Sequence, residues 1–264
     1  MSGTGRTGEG RGRLGTTLSN LAVALGCVLF LGGFAWGAVV YKAYAVPTGS
    51  MTPTVNAGDR VLAERVDGDE VRRGDVVVFT DKAWGDVPMV KRVVGVGGDK
   101  VACCDREGRL TINGTPVAEP YLRVWGGGDT GTAGDGKTAG KRSPASSQDF
   151  TAEVPEGQLF LLGDDRGESL DSRVHLTDPG QGSVPRSAVE ARVDAVAWPV
   201  NGMIDRPAAF AALPGGVSSS GPLPLQLGAV GVGLLLILGG AALGPLTARS
   251  ARGKKRPGVS TGAH

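Results

Sequence analysis

The sequence predicts a mainly β domain held between two transmembrane helices, and three observations support this fold class. Two uncharged apolar runs, residues 18–41 and 227–248, are each long enough to cross a hydrocarbon core of ~30 Å. Between them lie short valine-rich segments bounded by Gly, Asp or Pro, a pattern typical of strands. Glycine accounts for 45 of the 264 residues, which favours loops and strands over helices.

Basic residues at the ends of the chain orient the two predicted helices. Arg6, Arg11 and Arg13 precede the first apolar run, and five basic residues lie between positions 249 and 256. Because positive charge is retained in the cytoplasm, both termini are expected there, in a multi-pass protein of the plasma membrane. The expected layout is a cytoplasmic tail (1–17), a helix (18–41), an extracytoplasmic domain (42–210), a linker (211–226), a second helix (227–248) and a basic cytoplasmic tail (249–264).

A cleaved signal peptide is the competing interpretation of the first apolar run. The triplet "AYA" at residues 43–45 has the small-x-small pattern of a cleavage site. However, the run is longer than the ~7 to 15 apolar residues of a signal-peptide core. A retained anchor is therefore the favoured prediction.

The region between the helices is predicted to consist of strands. The segments 75–79, 89–96, 158–163 and 189–200 are short and valine-rich. In the last of these, Val189, Ala191, Val193, Ala195 and Ala197 alternate with Glu190, Arg192 and Asp194, the period of a half-buried strand. Residues 104–114 predict a hairpin with turns at 107–108 and 113–114. Residues 126–147 are rich in Gly, Thr, Ser and Lys and are expected to form a mobile surface insertion.

Composition argues against several classes of function. The formal net charge is +2, and no stretch combines clustered Lys and Arg with aromatic residues, so nucleic acid is not an expected partner.

Cys103 and Cys104 are adjacent, with Cα atoms expected ~3.8 Å apart across a trans peptide, against ~4.4 to 6.8 Å in disulfides. A bridge between them would be strained. Without another cysteine outside the apolar runs or a histidine cluster, neither a metal nor another cofactor is expected.

Ser50, in the stretch "VPTGSMTPTV" (46–55), is a candidate nucleophile. A serine hydroxyl needs a neighbouring base to take its proton. Only two histidines are present, and His264 is the last residue. His175 lies in a polar loop containing Gly, Pro and Asp, where a solvated histidine is the commoner outcome. The base is therefore sought among other residue types.

Lys91 is the alternative base. In "MVKRVVGV" (89–96), strand alternation places Lys91 on the same face as Met89 and Val93, with Arg92 facing the other way. Burial among apolar groups lowers a lysine pKa from ~10.4 to as little as ~5 to 6. A lysine on an edge strand, with its ammonium group in solvent, is the alternative that alternation leaves open.

Three segments together carry a family resemblance. "PTGSMTPT" (47–54), "KRVVGVGGD" (91–99) and "GDDRGESLDSR" (163–173) follow an apolar helix in this order. They resemble the signature boxes of type I signal peptidases, membrane-bound Ser/Lys endopeptidases that remove signal sequences from exported proteins. The resemblance covers roughly residues 45–193. It implies a signal-peptidase-like coiled β-sheet or barrel, cleavage after an Ala-x-Ala-type site, no cofactor, and as partners secreted preproteins delivered by the export machinery and membrane lipid.

The resemblance also assigns roles to individual residues. Ser50 would be the nucleophile and Lys91 the general base, while the Thr48 hydroxyl would join the Ser50 backbone N–H in the oxyanion hole. Ser169 would hydrogen-bond the lysine amine and orient it. Asp171 and Arg173 would pair beneath the third box, and Asp164 would help to hold it. The walls of the substrate pockets would come from Val46, Pro47, Met51, Val55, Met89 and Val90.

Four positions depart from the family pattern. Gly97 replaces a usual proline, Ala191 replaces a usual glycine, and Asp165 and Glu168 occupy positions that are commonly Asn. Glu168 matters most, because a carboxylate beside the Lys91 amine would favour its charged form and weaken the base. A side chain pointing into solvent would have no such effect.

Two other functions stay open at the level of sequence. A membrane-tethered β-domain with lost catalysis would bind peptides or cell-envelope components. A self-cleaving protease of the related Ser/Lys class, of the repressor type, would use the same dyad, although those proteins lack paired membrane anchors. Activity that depends on Ser50 and Lys91 distinguishes catalysis from binding.

Overall fold

The computed structural model describes residues 9–122 and 145–252, which belong to two compact units. One unit contains the two long helices, and the other, residues 40–221, contains the strands. The helices are α1 (Glu9–Val40), α2 (Ala208–Ala211) and α3 (Leu223–Arg252).

The two long helices are long and apolar enough to cross a membrane over Gly15–Val40 and Leu223–Gly244. They pack against each other through small residues. Ser19 Oγ donates a 2.6 Å hydrogen bond to the Gly240 carbonyl, and a Cβ at Gly233 would lie 2.6 Å from the Phe30 nitrogen. Glycine therefore permits the close backbone approach that is typical of helix pairs in membranes.

The strand unit is mainly β, as predicted. Short 3₁₀ helices occur at Gly68–Glu70, Lys82–Trp84, Ser172–His175 and Arg186–Ala188. The strands are β1 (Tyr41–Ala45), β2 (Arg60–Glu64), β3 (Val76–Phe79), β4 (Met89–Val96), β5 (Lys100–Cys103), β6 (Thr111–Ile112), β7 (Thr115–Pro116), β8 (Phe150–Glu153), β9 (Gln158–Leu162), β10 (Val184–Pro185), β11 (Val189–Trp198) and β12 (Gly202–Met203).

The larger sheet is antiparallel, in the order β1-β2-β11-β3-β4-β9-β10, with β12 added to β11. Register shifts interrupt the β11–β2, β11–β3 and β4–β9 pairings. Such bulges bend strands and increase their twist, so the sheet curls. Within the described residues its end strands β1 and β10 do not pair, so the sheet is an open half-barrel. A smaller sheet has the order β7-β6-β5-β8.

Local sequence patterns predicted several elements closely. The predicted strand 89–96 is β4 itself, and β3, β9 and β11 lie within the other three predicted segments. The turn at Asn113 and Gly114, which have φ angles of 52° and 77°, joins β6 to β7. Two consecutive positive φ angles are what a two-residue hairpin turn requires.

The prediction of a half-buried β11 is wrong for two of its charged residues. Arg192 is 5% exposed and Asp194 is fully buried. Asp194 accepts hydrogen bonds from Tyr41 Oη at 2.8 Å and from Arg206 Nη2 at 3.0 Å, while Arg192 pairs with Glu64. Charged groups are buried when they are paired in this way, and alternation along one strand contains no information about such partners.

The C-terminal end of the predicted surface insertion is buried, contrary to the prediction. Ala145 and Ser146 are buried, and the Ala145 nitrogen donates to the Gly108 carbonyl at 2.7 Å. These residues pack because the apolar Ala145 joins the core around β5 and β8. Residues 126–144 of the predicted insertion lie outside the described residues.

The expected separation of the Cys103 and Cys104 Cα atoms is also wrong. Cys103 and Cys104 are joined by a disulfide across a cis peptide bond, with Cα atoms 3.0 Å apart. The expected separation assumed a trans peptide.

The first part of the segment expected as a linker, residues 211–221, belongs to the strand unit. Leu213 belongs to the core, and the Pro214 carbonyl accepts a 2.6 Å hydrogen bond from Arg73 Nη1. Ser218 Oγ accepts from Arg206 Nε at 2.8 Å. An apolar anchor and two arginine contacts therefore order a stretch whose composition alone predicts a loop.

Candidate active site

Ser50 lies in the connection between β1 and β2, where a short run of turns fixes its backbone. Thr52 N donates to the Gly49 carbonyl at 2.9 Å, and Val55 N donates to the Met51 carbonyl at 3.0 Å. Met51 and Val55 are fully buried in the core between β2, β3 and β11. Burying such side chains contributes roughly 1.5 to 3 kcal/mol each, so the core holds the turn in place while Ser50 stays partly exposed.

Lys91 is the third residue of β4, which lies between β3 and β9 in the interior of the sheet. The residue is 4% exposed, and its Nζ lies 2.7 Å from Ser50 Oγ. The alternative of an edge-strand lysine in solvent is therefore wrong. The sheet brings together two side chains that are 41 positions apart.

The surroundings of Lys91 act on its protonation in opposite directions. The pKa of Lys91 is lowered from 10.5 to about 8, mainly by burial. The carboxylates of Asp171 and Asp164 oppose this shift, whereas the positive charge of Arg173 adds to it. At pH 7 a group with that pKa is neutral in roughly one molecule in ten, against ~4 in 10,000 for an ordinary lysine. The amine is thus available as a proton acceptor near neutral pH.

Two further hydroxyl groups, of Thr48 and Ser169, lie near Ser50. Thr48 Oγ1 is 3.4 Å from Ser50 Oγ. Ser169 is 7% exposed, and within the described part of the chain its Oγ has no hydrogen-bond partner. The predicted hydrogen bond to Lys91 is thus not formed in this conformation, and the orienting role of Ser169 stays a prediction. A Cβ at Gly163 would collide with Ser169 and with the Ser50 carbonyl, so the loop and the nucleophile are in tight contact.

Asp171 supports this loop from beneath. Its buried carboxylate accepts hydrogen bonds from Gly163 N at 3.0 Å and from Arg173 Nε and Nη2, both at 2.8 Å. Burial alone raises the pKa of Asp171, but the hydrogen bonds and positive charge of Arg173 hold it below its usual value. The pair is therefore charged, and it fixes the backbone next to Ser169.

Asp164 joins the loop to β4, which carries Lys91, and to the connection that carries Ser50. It is fully buried, and it accepts hydrogen bonds from Arg92 Nε at 2.8 Å, from Arg92 Nη2 at 2.6 Å and from Thr54 Oγ1. Arg92 also donates to the Gly74 carbonyl at 2.8 Å. Alternation did indicate that Arg92 faces away from Lys91. It did not indicate that this second face of β4 is buried too, although the apolar run after Arg92 is typical of a strand covered on both sides.

A further buried ion pair, between Arg166 and Glu119, was missed by the sequence analysis. Arg166 donates to the Gly163 carbonyl at 3.0 Å and pairs with Glu119 at 2.5 Å. Tyr121 Oη donates to the same Glu119 carboxylate at 2.6 Å. No local signal identifies Glu119, because it lies 47 positions before Arg166.

A cleft of about 640 Å³ opens beside Ser50 and Lys91. Its walls include four of the predicted residues, while Met51 and Val55 lie in the core beneath rather than on the wall. Both of these side chains point inward because they anchor the nucleophile turn. The apolar lining consists of Tyr44, Ala45, Val46, Pro47, Val78, Val87, Pro88, Met89, Val90 and Leu170.

The third box also contributes two acidic residues to the cleft. Asp165 N donates a 3.1 Å hydrogen bond to the Ser50 carbonyl. Glu168 is exposed at the cleft, and it is not among the charges that shift the pKa of Lys91. The solvent-facing alternative for Glu168 thus agrees with the structure.

His175 is outside the cleft. Its ring stacks on Trp84 with centroids 4.6 Å apart, and Nδ1 lies 2.8 Å from Asp178 Oδ2. The side chain is 24% exposed, so it is partly covered rather than a fully solvated loop histidine, because the Trp84 ring lies against it. It has no contact with Ser50 that would make it the base.

Known proteins share this arrangement of segments. Residues 17–198 match the family model described as signal peptidase, peptidase S26. The chain is 31% identical to a probable signal peptidase I of Mycobacterium leprae, over 61% of this chain and 69% of that protein. It is 34% identical to signal peptidase I of Bacillus caldolyticus, over 61% of this chain and 81% of the relative. A solved signal peptidase I from Enterococcus faecalis has 28% identity and a TM-score of 0.33, covering 46% of this chain and 94% of that one.

Proposed function

The chain belongs to the signal peptidase family, peptidase S26, and on that premise we propose that Ser50 and Lys91 form the catalytic dyad of a membrane-anchored endopeptidase. The substrates are preproteins, and the cut follows an Ala-x-Ala-type site at the end of the signal peptide. The observation that carries the proposal is the 2.7 Å separation of Lys91 Nζ and Ser50 Oγ in a buried setting.

The chemistry starts from neutral Lys91. Its amine takes the Ser50 proton as Oγ attacks the carbonyl before the scissile bond, so a serine becomes a nucleophile without histidine. The Ser50 backbone N–H and the Thr48 hydroxyl stabilise the resulting oxyanion, an element whose loss costs ~2.7 to 4 kcal/mol in serine hydrolases. When the tetrahedral intermediate collapses, the lysine ammonium gives its proton to the departing amine of the mature protein.

Deacylation repeats these roles, with water as the nucleophile and Ser50 Oγ as the leaving group. Lys91, neutral again, takes a proton from water, which attacks the ester formed on Ser50. The second intermediate releases the signal peptide with a new carboxylate, and the proton returns to Ser50 Oγ. Asp171, Arg173 and Asp164 act by positioning: they hold the loop that carries Ser169 against Lys91.

Substrate selection follows from the cleft. An extended peptide places alternate side chains on the same face, so the first and third residues before the scissile bond both point towards the apolar wall. Val46, Met89 and Val90 are branched or long and leave room for small side chains. This arrangement supports the Ala-x-Ala preference.

The membrane arrangement is part of the proposal. Residues 42–210 form the extracytoplasmic peptidase domain of a plasma-membrane protein, the two apolar helices cross the bilayer and contact lipid, and both tails are cytoplasmic. This orientation rests on the basic residues at the two ends of the chain. It places the cleft on the side where the export machinery delivers signal peptides.

A peptide-binding domain without catalysis is the weaker alternative. Binding needs no buried amine, and burying one costs free energy through desolvation. Incubation of the purified full chain with a signal-bearing preprotein tests the choice. We expect cleavage at one site after Ala-x-Ala, identified by N-terminal sequencing of the product, and none with Ser50→Ala. Binding without cleavage by the unmodified protein would contradict the proposal.

A further inference from the structure

The cleft beside the dyad has an uneven distribution of charge. Among the described residues that line it, Lys91 carries an amine, and Asp165 and Glu168 carry carboxyl groups. Lys91 is buried and must be neutral to act as the base. In the catalytic form, the described part of the cleft lining therefore contains two carboxylates and no cation.

Neither carboxylate has a salt-bridge partner among the residues that the structure describes. In the described ranges, the side chains of Asp165 and Glu168 take part in no hydrogen bond or ion pair. The other acidic residues of this loop are different, because Asp164 and Asp171 are buried and paired with arginine. An unpaired carboxylate at an open cleft is free to interact with whatever enters it.

Backbone hydrogen bonds tie the two acidic residues to the segment that carries Ser50. Asp165 N is hydrogen-bonded to the Ser50 carbonyl, and the Asp165 carbonyl accepts from both Glu168 N and Ser169 N. One tight turn thus holds both residues beside the point where the substrate carbonyl must lie. One residue of extended chain spans only ~3.3 Å, so the substrate residues that can meet these two side chains are those close to the attacked carbonyl.

Strand geometry indicates which substrate residues these are. The first and third residues before the scissile bond face the apolar wall, so the second residue before the bond and the first after it face the other way. We infer that Asp165 and Glu168 select for basic and against acidic side chains at those two substrate positions. This inference rests on the proposed function and adds a charge preference that the apolar walls do not provide.

The test uses the full chain in detergent and peptides with an Ala-x-Ala core that carry Lys, Gln or Glu at either position. We expect kcat/KM to be higher for Lys than for Glu by about threefold or more at low salt, because partly exposed ion pairs contribute modestly. The ratio should shrink towards one in 0.5 M NaCl, where the Debye length falls to a few ångströms.

Variants assign the effect to the two carboxylates. Asp165→Asn with Glu168→Asn should bring the Lys-to-Glu ratio close to one, and the single change Glu168→Lys, at an exposed position, should reverse it. Asp149→Asn is the matched control, because Asp149 is an exposed carboxylate that does not line the cleft; its ratio should stay that of the unmodified protein.

The outcomes separate this inference from the proposed function. Ser50-dependent cleavage of the Gln peptides with a Lys-to-Glu ratio near one would overturn the charge preference alone. A ratio that persists unchanged in the double variant and in Glu168→Lys would also overturn it. Absence of any Ser50-dependent cleavage would overturn both.

Discussion

Lys91 Nζ lies 2.7 Å from Ser50 Oγ, although the two residues are 41 positions apart in the chain. The curled sheet brings their two segments together. Because this contact joins the proposed nucleophile to a buried amine, the two residues should act as a unit. Residues that act as a unit lose activity non-additively when they are replaced. The first prediction follows from that property.

Ser50→Ala and Lys91→Ala should each abolish preprotein processing, and the double variant should be little worse than either single one. Initial rates on one preprotein, with membrane insertion checked in parallel, measure this. Thr111→Ala, a change remote from the cleft, serves as the control. Activity of Lys91→Ala within tenfold of the unmodified protein would rule out the dyad.

The pH dependence of kcat/KM should show a lysine base with a lowered pKa. Only the neutral amine accepts the Ser50 proton, so activity is low below the pKa of Lys91 and rises with pH through about 8. A full profile from pH 5 to 10 measures the rising limb. His175→Ala should leave that limb in place, whereas loss of the limb in this variant would identify His175 as the base.

Glu168→Asn should not move the same rising limb. Glu168 is exposed, and the carboxylates that raise the pKa of Lys91 are Asp171 and Asp164. The profile of this variant is compared with that of the unmodified protein on an uncharged substrate. A limb displaced to lower pH would mean that Glu168 approaches the amine after all.

Cleavage should require small side chains at the first and third positions before the scissile bond. A Phe in place of Ala at the first position would overfill the wall around Val46 and Met89, at a cost of ~1 to 3 kcal/mol. In kcat/KM this corresponds to a loss of roughly 5- to 150-fold. A peptide library with one varied position provides the measurement, and equal turnover of the Ala and Phe peptides would refute the prediction.

Protease added to right-side-out vesicles should digest the domain between the helices and spare tags placed at both termini. The reason is that, in the proposed orientation, the basic residues at the two ends keep both tails in the cytoplasm. Permeabilised vesicles, in which the tags become sensitive, provide the control. A C-terminal tag that is removed from sealed vesicles would eliminate the two-span arrangement.

Asp164→Ala should destabilise the strand unit by ~3 to 5 kcal/mol, because it leaves the Arg92 guanidinium buried without its partner. Replacing both residues together, as Arg92→Met with Asp164→Leu, should cost less than the single change. Urea unfolding of the full chain in detergent compares the variants. Glu107→Ala is the control, because it removes an exposed partner of Arg109, and it should barely move the unfolding midpoint. Equal shifts of the midpoint in Glu107→Ala and Asp164→Ala would contradict the prediction that burial makes the Asp164 pair important.

The sequence by itself determined the features that local pattern controls. The valine-rich alternation predicted β4 to the residue, the apolar runs predicted two long helices, and the three boxes indicated Ser50 and Lys91 as a pair. Strand period and helix length depend on neighbours along the chain, so a window of ten to twenty residues contains the necessary information.

The tertiary structure decided which charged residues are buried and which apolar residues reach the cleft. Arg92 meets Asp164 across 72 positions, Arg192 and Asp194 of β11 find partners on other elements, and Met51 and Val55 enter the core instead of the cleft wall. Glu168 was an open question in the sequence and faces the cleft in the fold. Burial of a charge depends on a partner that arrives through long-range strand pairing, and no pattern along a single segment specifies that partner.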